Sequence, residues 1–181
     1  NSKFILDLSE VCEKLIKLNC EIVLISSGAV GAGIQLIDKK LIDNINQKQT
    51  SVKQVLASLG QPYLMKHYQE IFNKSDLKTS QILLTRKEIT EDKSTYLNIK
   101  NTIEKLIEFN IIPIINENDV VSTEELEGEK FGDNDTLSSF VSNMIDANLL
   151  IILSSIEGLF TTDPNLYPQS AKLISEIKNV G

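Results

Sequence analysis

Two short clusters, Asn116-Glu117-Asn118-Asp119 and Gly132-Asp133-Asn134-Asp135, crowd carboxylates and carboxamides into a stretch whose only cation is Lys130. Side chains of these types can meet an ammonium group, orient lysines or hold a divalent ion. Asp or Asn at a helix start is ordinarily a cap, which accounts for one of residues 133–135 and not for three in a row. The D-x-N/D fragment lacks the glycine and distal glutamate of a calcium loop. A second feature is the glycine-rich run Ser27-Gly28-Ala29-Val30-Gly31-Ala32-Gly33. Its backbone N–H groups could hold a phosphate or a carboxylate. It is no Walker loop, since no Gly-Lys-Ser/Thr follows, and its G-x-x-G-x-G order is not the dinucleotide fingerprint. Close packing of a helix explains the same glycines equally well.

Further along, Ser154-Ser155 closes an apolar run and is followed by a turn at Glu157-Gly158 and a short arm ending at Asp163-Pro164, a hairpin-like loop. Arg86 is a single charge with a solvated or structural role. His67, the only histidine, sits between Lys66 and Tyr68 and reads as a surface residue. One histidine and two scattered cysteines give little basis for a zinc site or a Ser-His-Asp triad.

The elements that must position these groups follow from hydrophobic patterning. Residues 21–25 (EIVLI), 81–85 (QILLT), 111–115 (IIPII) and 149–154 (LLIILS) are continuously apolar, as strands of a parallel sheet covered on both faces are. Pro113 is awkward in a central strand, because it cannot donate to the ladder. Helical stripes run through Phe4–Ile16, through Val52–Phe72 around Gly60-Gln61-Pro62, through Tyr96–Ile107 and through Leu137–Ile145. The alternation predicts an α/β domain with a mostly parallel sheet. In such sheets ligands bind beyond the carboxyl ends of the strands. The glycine turn, Arg86, the 116–119 cluster and Ser154-Ser155 all follow predicted strands, so all are expected on one sheet edge.

Composition bounds the function. The 181 residues carry 41% hydrophobic and 24% charged residues and a net charge of −7, which fits one globular domain and argues against a nucleic-acid partner. Cys12 and Cys20 lie among apolar residues and are expected to be buried free thiols. No apolar run approaches the roughly 18–20 residues of a membrane helix, and no signal peptide opens the chain, so a cytoplasmic protein with no membrane partner is expected. The Lys/Asn-rich tract at 38–50 reads as a solvated loop.

As a set, residues 26–30 (SSGAV), 59–61 (LGQ), 81–86 (QILLTR), 113–119 (PIINEND), 131–135 (FGDND) and 157–161 (EGLFT), in that order, resemble the amino-acid kinase family over nearly the whole chain. The specific part is the NEND…GDND pair, which resembles the branch acting on L-glutamate. The resemblance implies a three-layer α/β sandwich with residues 1–181 in a single kinase domain. It also implies that the first strand, the C-terminal nucleotide-binding part and two phosphate-binding lysines lie outside these residues. On that basis residues 1–181 alone are expected to bind glutamate poorly and turn over little.

The implied reaction is ATP- and Mg²⁺-dependent transfer of the γ-phosphoryl group to the side-chain carboxylate of L-glutamate, giving γ-glutamyl phosphate and opening proline biosynthesis. Ser27 and Gly28 would hold the glutamate, with Asp119 and Asn134 on its polar groups. Asp135 would be catalytic by fixing the lysines, Ser154 and Ser155 would lie at the nucleotide, and no protein metal ligand is implied. The family commonly has Asp where Ser155 stands. A carboxylate nucleophile is already ionised at neutral pH and needs no general base. Residues 120–130 would cover the pocket. A homo-oligomer and feedback by proline are implied as well. The competing readings are a related kinase of carbamate, aspartate, acetylglutamate or a nucleoside monophosphate, and an inactive amino-acid-binding module. A dinucleotide-binding domain ranks last, since Asp38 and Asp43 make poor ribose ligands.

Overall fold

The computed structural model describes residues 2–42, 49–122, 133–154 and 156–177. The chain divides into two compact units, one ending at Leu149 and one beginning at Leu150. The first contains α1 (Ser2–Lys17), β1 (Leu24–Ile25), α2 (Ala29–Ile34), α3 (Lys39–Ile42) and α4 (Thr50–Phe72), then β2 (Lys78–Leu84), α5 (Arg86–Thr90), α6 (Lys93–Glu108), β3 (Ile111–Glu117) and α7 (Asp133–Met144). The sheet is parallel, in the order β1-β3-β2, with Leu24 opposite Ile114 and Ile82 opposite Ile115.

β3 is central, and its alternating side chains separate two cores. Ile112 and Ile114 join Ile5 and Cys12 of α1 and Met65, Tyr68, Ile71 and Phe72 of α4. Ile115 turns the other way and joins Leu84, Ile89, Ile103, Leu137, Val141 and Met144. This is the expected three-layer α/β arrangement. Burial of side chains such as Ile114 and Ile115, both essentially inaccessible, stabilises the fold by about 1.5–3 kcal/mol each.

Pro113 does lie in the central strand, and the ladder shows how it is accommodated. Ser26 N–H donates to the Ile115 carbonyl at 2.8 Å, and Asn118 N–H donates to the Leu84 carbonyl. Odd-numbered residues of β3 therefore turn their backbone groups toward β1, and even-numbered ones toward β2. The N–H that Pro113 lacks would have faced the segment just before Leu24. Pairing on that side is confined to Leu24–Ile25, which shortens the strand expected over 21–25.

α4 runs unbroken through Gly60-Gln61-Pro62. It packs backbone to backbone on α2: a Cβ on Gly60 would lie 1.9 Å from the Ala29 carbonyl oxygen, and one on Gly33 1.9 Å from that of Leu56. The tract at 38–50 is partly helical, contrary to expectation: the Asp38 side chain accepts from Lys40 N–H at 2.7 Å ahead of α3, and residues 43–48 lie outside the described residues. Cys12 is buried, and burial pushes its thiol up to about 11, whereas Cys20 is exposed, not buried as expected.

The strand expected at 149–154 does not form. Leu149 through Leu153 are exposed and make no ladder in the sheet. Continuous hydrophobicity identifies a segment suited to burial in a sheet, but a strand exists only where a neighbour supplies the other half of each rung. In the second unit, Phe160 pairs antiparallel with Leu173, and Thr161 N–H donates to the Lys172 carbonyl at 3.0 Å. The pairing spans the loop through Asp163, not the predicted turn at Glu157-Gly158. Among the described residues no helix is long and apolar enough to cross a membrane.

Candidate active site

Three segments leave the carboxyl ends of the strands. After β1 the chain turns at Gly28, whose φ of 103° and ψ of 11° place it in the left-handed region at the start of α2. A side chain is strained there, so the turn itself requires this glycine. The glycine-rich run thus has divided duties. Gly28 makes the turn, Gly33 admits α4, and at Gly31 an added Cβ would meet nothing within 4 Å. Ser27, just before the turn, is exposed.

After β2, Thr85 and Glu88 form a capping box that opens α5. Arg86 is its first residue, exposed, with the guanidinium carbon 6.0 Å from the Phe140 ring centroid on α7. Leu137, one turn into α7, is buried in the cluster holding Leu84 and Ile115. The start of α7 therefore lies toward the carboxyl ends of β2 and β3.

After β3 the chain forms a tight turn, with Val121 N–H and Ser122 N–H both donating to the Asn118 carbonyl. Asp119 is half-buried in this turn. Ser122 Oγ donates to Glu117 Oε1, and Gln54 Nε2 of α4 donates to the Val120 carbonyl at 3.0 Å. Below the turn, Asn116 Nδ2 donates to Gln61 Oε1 at 2.9 Å, and Gln61 Nε2 donates to Gln81 Oε1 at 3.0 Å. Gln54 and Gln61 are seven residues apart, hence on the same face of α4. Neither was singled out by sequence reasoning as a site residue. The signal available was that spacing, beside a glycine that seats α4 on α2.

Asp133, Asn134 and Asp135 form the first turn of α7, where the Asp135 carboxylate complements the helix dipole. Asp135 is exposed. The Asn134 carboxamide oxygen is buried and accepts no hydrogen bond among the described residues. Such an acceptor is costly unless something donates to it. Ser27-Gly28, Asp119 and Asn134-Asp135 thus all fall in the first unit, after β1, after β3 and at the start of α7. Ser154 belongs to the second unit, exposed, its hydroxyl accepting from Ile156 N–H at 3.3 Å. Ser155 and most of the expected 120–130 cover (residues 123–130) lie outside the described residues. His67 is engaged between α1 and α4, its Nε2 3.0 Å from Ser2 Oγ and its ring stacked on Tyr63.

A parallel sheet with helices on both faces and polar residues past its strand ends places the first unit in the open-sheet α/β class. The amino acid kinase family model matches residues 1–180, and the chain belongs to that family. Among relatives, a glutamate 5-kinase of Dehalococcoides mccartyi (strain CBDB1) is 45% identical over 174 residues, covering 96% of this chain and 45% of the relative. A glutamate 5-kinase of Dictyoglomus thermophilum is 44% identical over 176 residues, covering 97% and 45%. One of Methanosarcina barkeri is 41% identical over 177 residues, covering 98% and 44%. The chain therefore spans less than half the length of these relatives.

Proposed function

We propose that this chain carries the amino-acid-binding part of a kinase that phosphorylates the side-chain carboxylate of L-glutamate, producing γ-glutamyl phosphate for proline biosynthesis in the cytoplasm. The observation that carries the reading is the buried Asn134 oxygen with no donor among the described residues, beside Asp135 at the start of α7. An α-ammonium group supplies the missing donor, and the Asp119 carboxylate suits the same cation. Ser27 and the N–H groups after Gly28 suit the α-carboxylate. The relatives, named as glutamate 5-kinases, support glutamate over the other acceptors of the family, and the family model running from 1 to 180 supports one domain.

ATP with Mg²⁺ supplies the phosphoryl group and part of the charge neutralisation when bound. Mg²⁺ would arrive with the nucleotide phosphates, the usual arrangement for this ion. Ser154 and Ser155 are assigned to the nucleotide, and Asp135 to orienting the lysines that face the phosphates. Such chemistry depends on positioning and charge stabilisation more than on covalent help. Self-association and feedback by proline belong to the same proposal.

The test is phosphoryl transfer from ATP to L-glutamate, trapped as the hydroxamate, with the full-length gene product. L-aspartate and N-acetylglutamate run as competing acceptors. Glutamate alone is expected to turn over, and Asp135→Asn to lower kcat by about a hundredfold or more. Glutamate binding by calorimetry with no turnover of any acid would replace the kinase reading with an amino-acid-binding module.

A further inference from the structure

We infer that Gln61 is a positioning residue for the amino-acid substrate, acting through a carboxamide relay that sets how the carboxyl ends of β1 and β3 part. The inference rests on the glutamate-phosphorylating reading and assigns a further residue to that site.

The relay has a fixed direction. Glu117 N–H can only donate, and it does so to Asn116 Oδ1 at 2.9 Å. Asn116 must then present its NH₂ to Gln61, whose oxygen accepts at 2.9 Å. Gln61 in turn presents its own NH₂ to Gln81 Oε1 at 3.0 Å. One backbone donor therefore orients three side-chain amides on three different elements, β3, α4 and β2.

The location gives the relay its role. The alternation along β3 turns the Glu117 N–H toward β1, whose neighbouring segment bonds Ile115 through Ser26 and then leaves into the Ser27-Gly28 turn. Continued pairing would have carried that N–H into a β1 rung. Asn116 captures it instead, so the two strand ends can diverge without stranding a buried donor. Ser27 and Gly28 follow one end and Asp119 the other, so the relay governs the separation of the groups assigned to the two ends of the substrate. Gln61 holds Asn116 in this pose. Both are nearly inaccessible, at 7% and 2% exposure, so water cannot replace either amide. Gly60 next in sequence seats α4 on α2, and Gln54 fixes the turn after β3 from the same face of α4.

The test is steady-state kinetics on the full-length gene product, comparing wild type, Gln61→Met and Gln61→Glu, with thermal unfolding of the same samples. Gln61→Met leaves the Asn116 NH₂ buried without its acceptor. The expected result is a KM for L-glutamate raised about tenfold or more, with the KM for ATP within about twofold of wild type. Gln61→Glu keeps an acceptor for Asn116 and can pair with Gln81 as acid or carboxylate, and is expected to return the glutamate KM to within about threefold. An unchanged glutamate KM in Gln61→Met, with only Tm or the active fraction lowered, overturns the inference. A residue that merely supports the fold removes active molecules without changing the affinity of the rest. Should Gln61→Met not fold, Gln81→Met cuts the relay at its exposed end, and a glutamate KM raised about threefold with ATP unaffected is the expected result; no change overturns it. Wild-type protein that fails to phosphorylate glutamate overturns the functional reading and this role together. Wild-type turnover with an indifferent Gln61→Met removes this role alone.

Discussion

The two faces of β3 are built for different purposes. Toward α6 and α7 the core is apolar from Ile103 to Met144, up to Leu84 and Leu137, and only at the last residue of β3 does a buried polar side chain, Glu117, join that face. Toward α4 the apolar core of Ile112 and Ile114 gives way, one step further along the strand, to Asn116, Gln61 and Gln81. Hydrophobic contacts are non-directional and tolerate small shifts, whereas buried amides are satisfied only in a narrow set of poses. The first face supplies stability, and the second fixes where the strand ends point. Substitutions on the two faces should therefore report differently, in unfolding free energy on one side and in substrate KM on the other.

The largest effect that sharpens this contrast belongs to the apolar face. Ile103 is completely buried among α5, α7 and β3, and Ile103→Ala is expected to cost about 3–4 kcal/mol in denaturant unfolding. The folded fraction should keep its glutamate KM within about twofold, because no polar partner is lost. A large KM change in this variant would break the contrast, by showing that the apolar face also positions substrate.

A smaller effect on the α4 side has opposite signs in two measurements. Gly31 lies inside α2, and an added Cβ would meet nothing within 4 Å. Neither packing nor a turn conformation asks for glycine there, unlike Gly33 and Gly28. Gly31→Ala should therefore stabilise the protein by about 0.5–1 kcal/mol through the helix alone. If the open space serves substrate approach, the same variant raises the glutamate KM by about fivefold or more. A rise in Tm with an unchanged KM would leave the glycine turn with packing and conformation as its only duties.

Legibility in the sequence divides along similar lines. The helices α1, α4, α6 and α7 and the strands β2 and β3 follow from periodicity and continuous apolar runs, because burial of whole faces leaves a pattern many residues long. The brevity of β1 was not legible, since it depends on which way one missing N–H at Pro113 faces, a matter of register. Residues 149–154 carried the same pattern as the true strands but make no ladder. At the site, the acidic clusters stood out by type, and α7 does begin at Asp133. Gln54 and Gln61 did not, because a glutamine in a helix looks the same whether it meets water or a buried amide. Only the path of α4, which brings Gln61 to Asn116 and Gln54 to the turn after β3, makes them matter.

The smallest effect probes the apolar face at its edge. Asp92 caps α6, accepting from Ser94 N–H at 2.8 Å, Thr95 N–H at 3.2 Å and the Thr95 hydroxyl at 2.6 Å. These bonds, the Thr95 hydroxyl foremost, hold its carboxyl below the usual range although it is exposed to solvent. A carboxyl whose folded pKa is depressed stabilises the fold fully above its unfolded value of about 3.9, and that contribution is lost as pH falls through the lower folded value. Asp92→Ala should therefore lower Tm at neutral pH, with the gap to wild type narrowing as pH drops below that unfolded value. A gap that persists undiminished into acid would show that the cap does not depend on charge. Because α6 packs on the face without amides, the glutamate KM should not move, and a shift there would mean that even a remote cap on the apolar side reaches the strand ends.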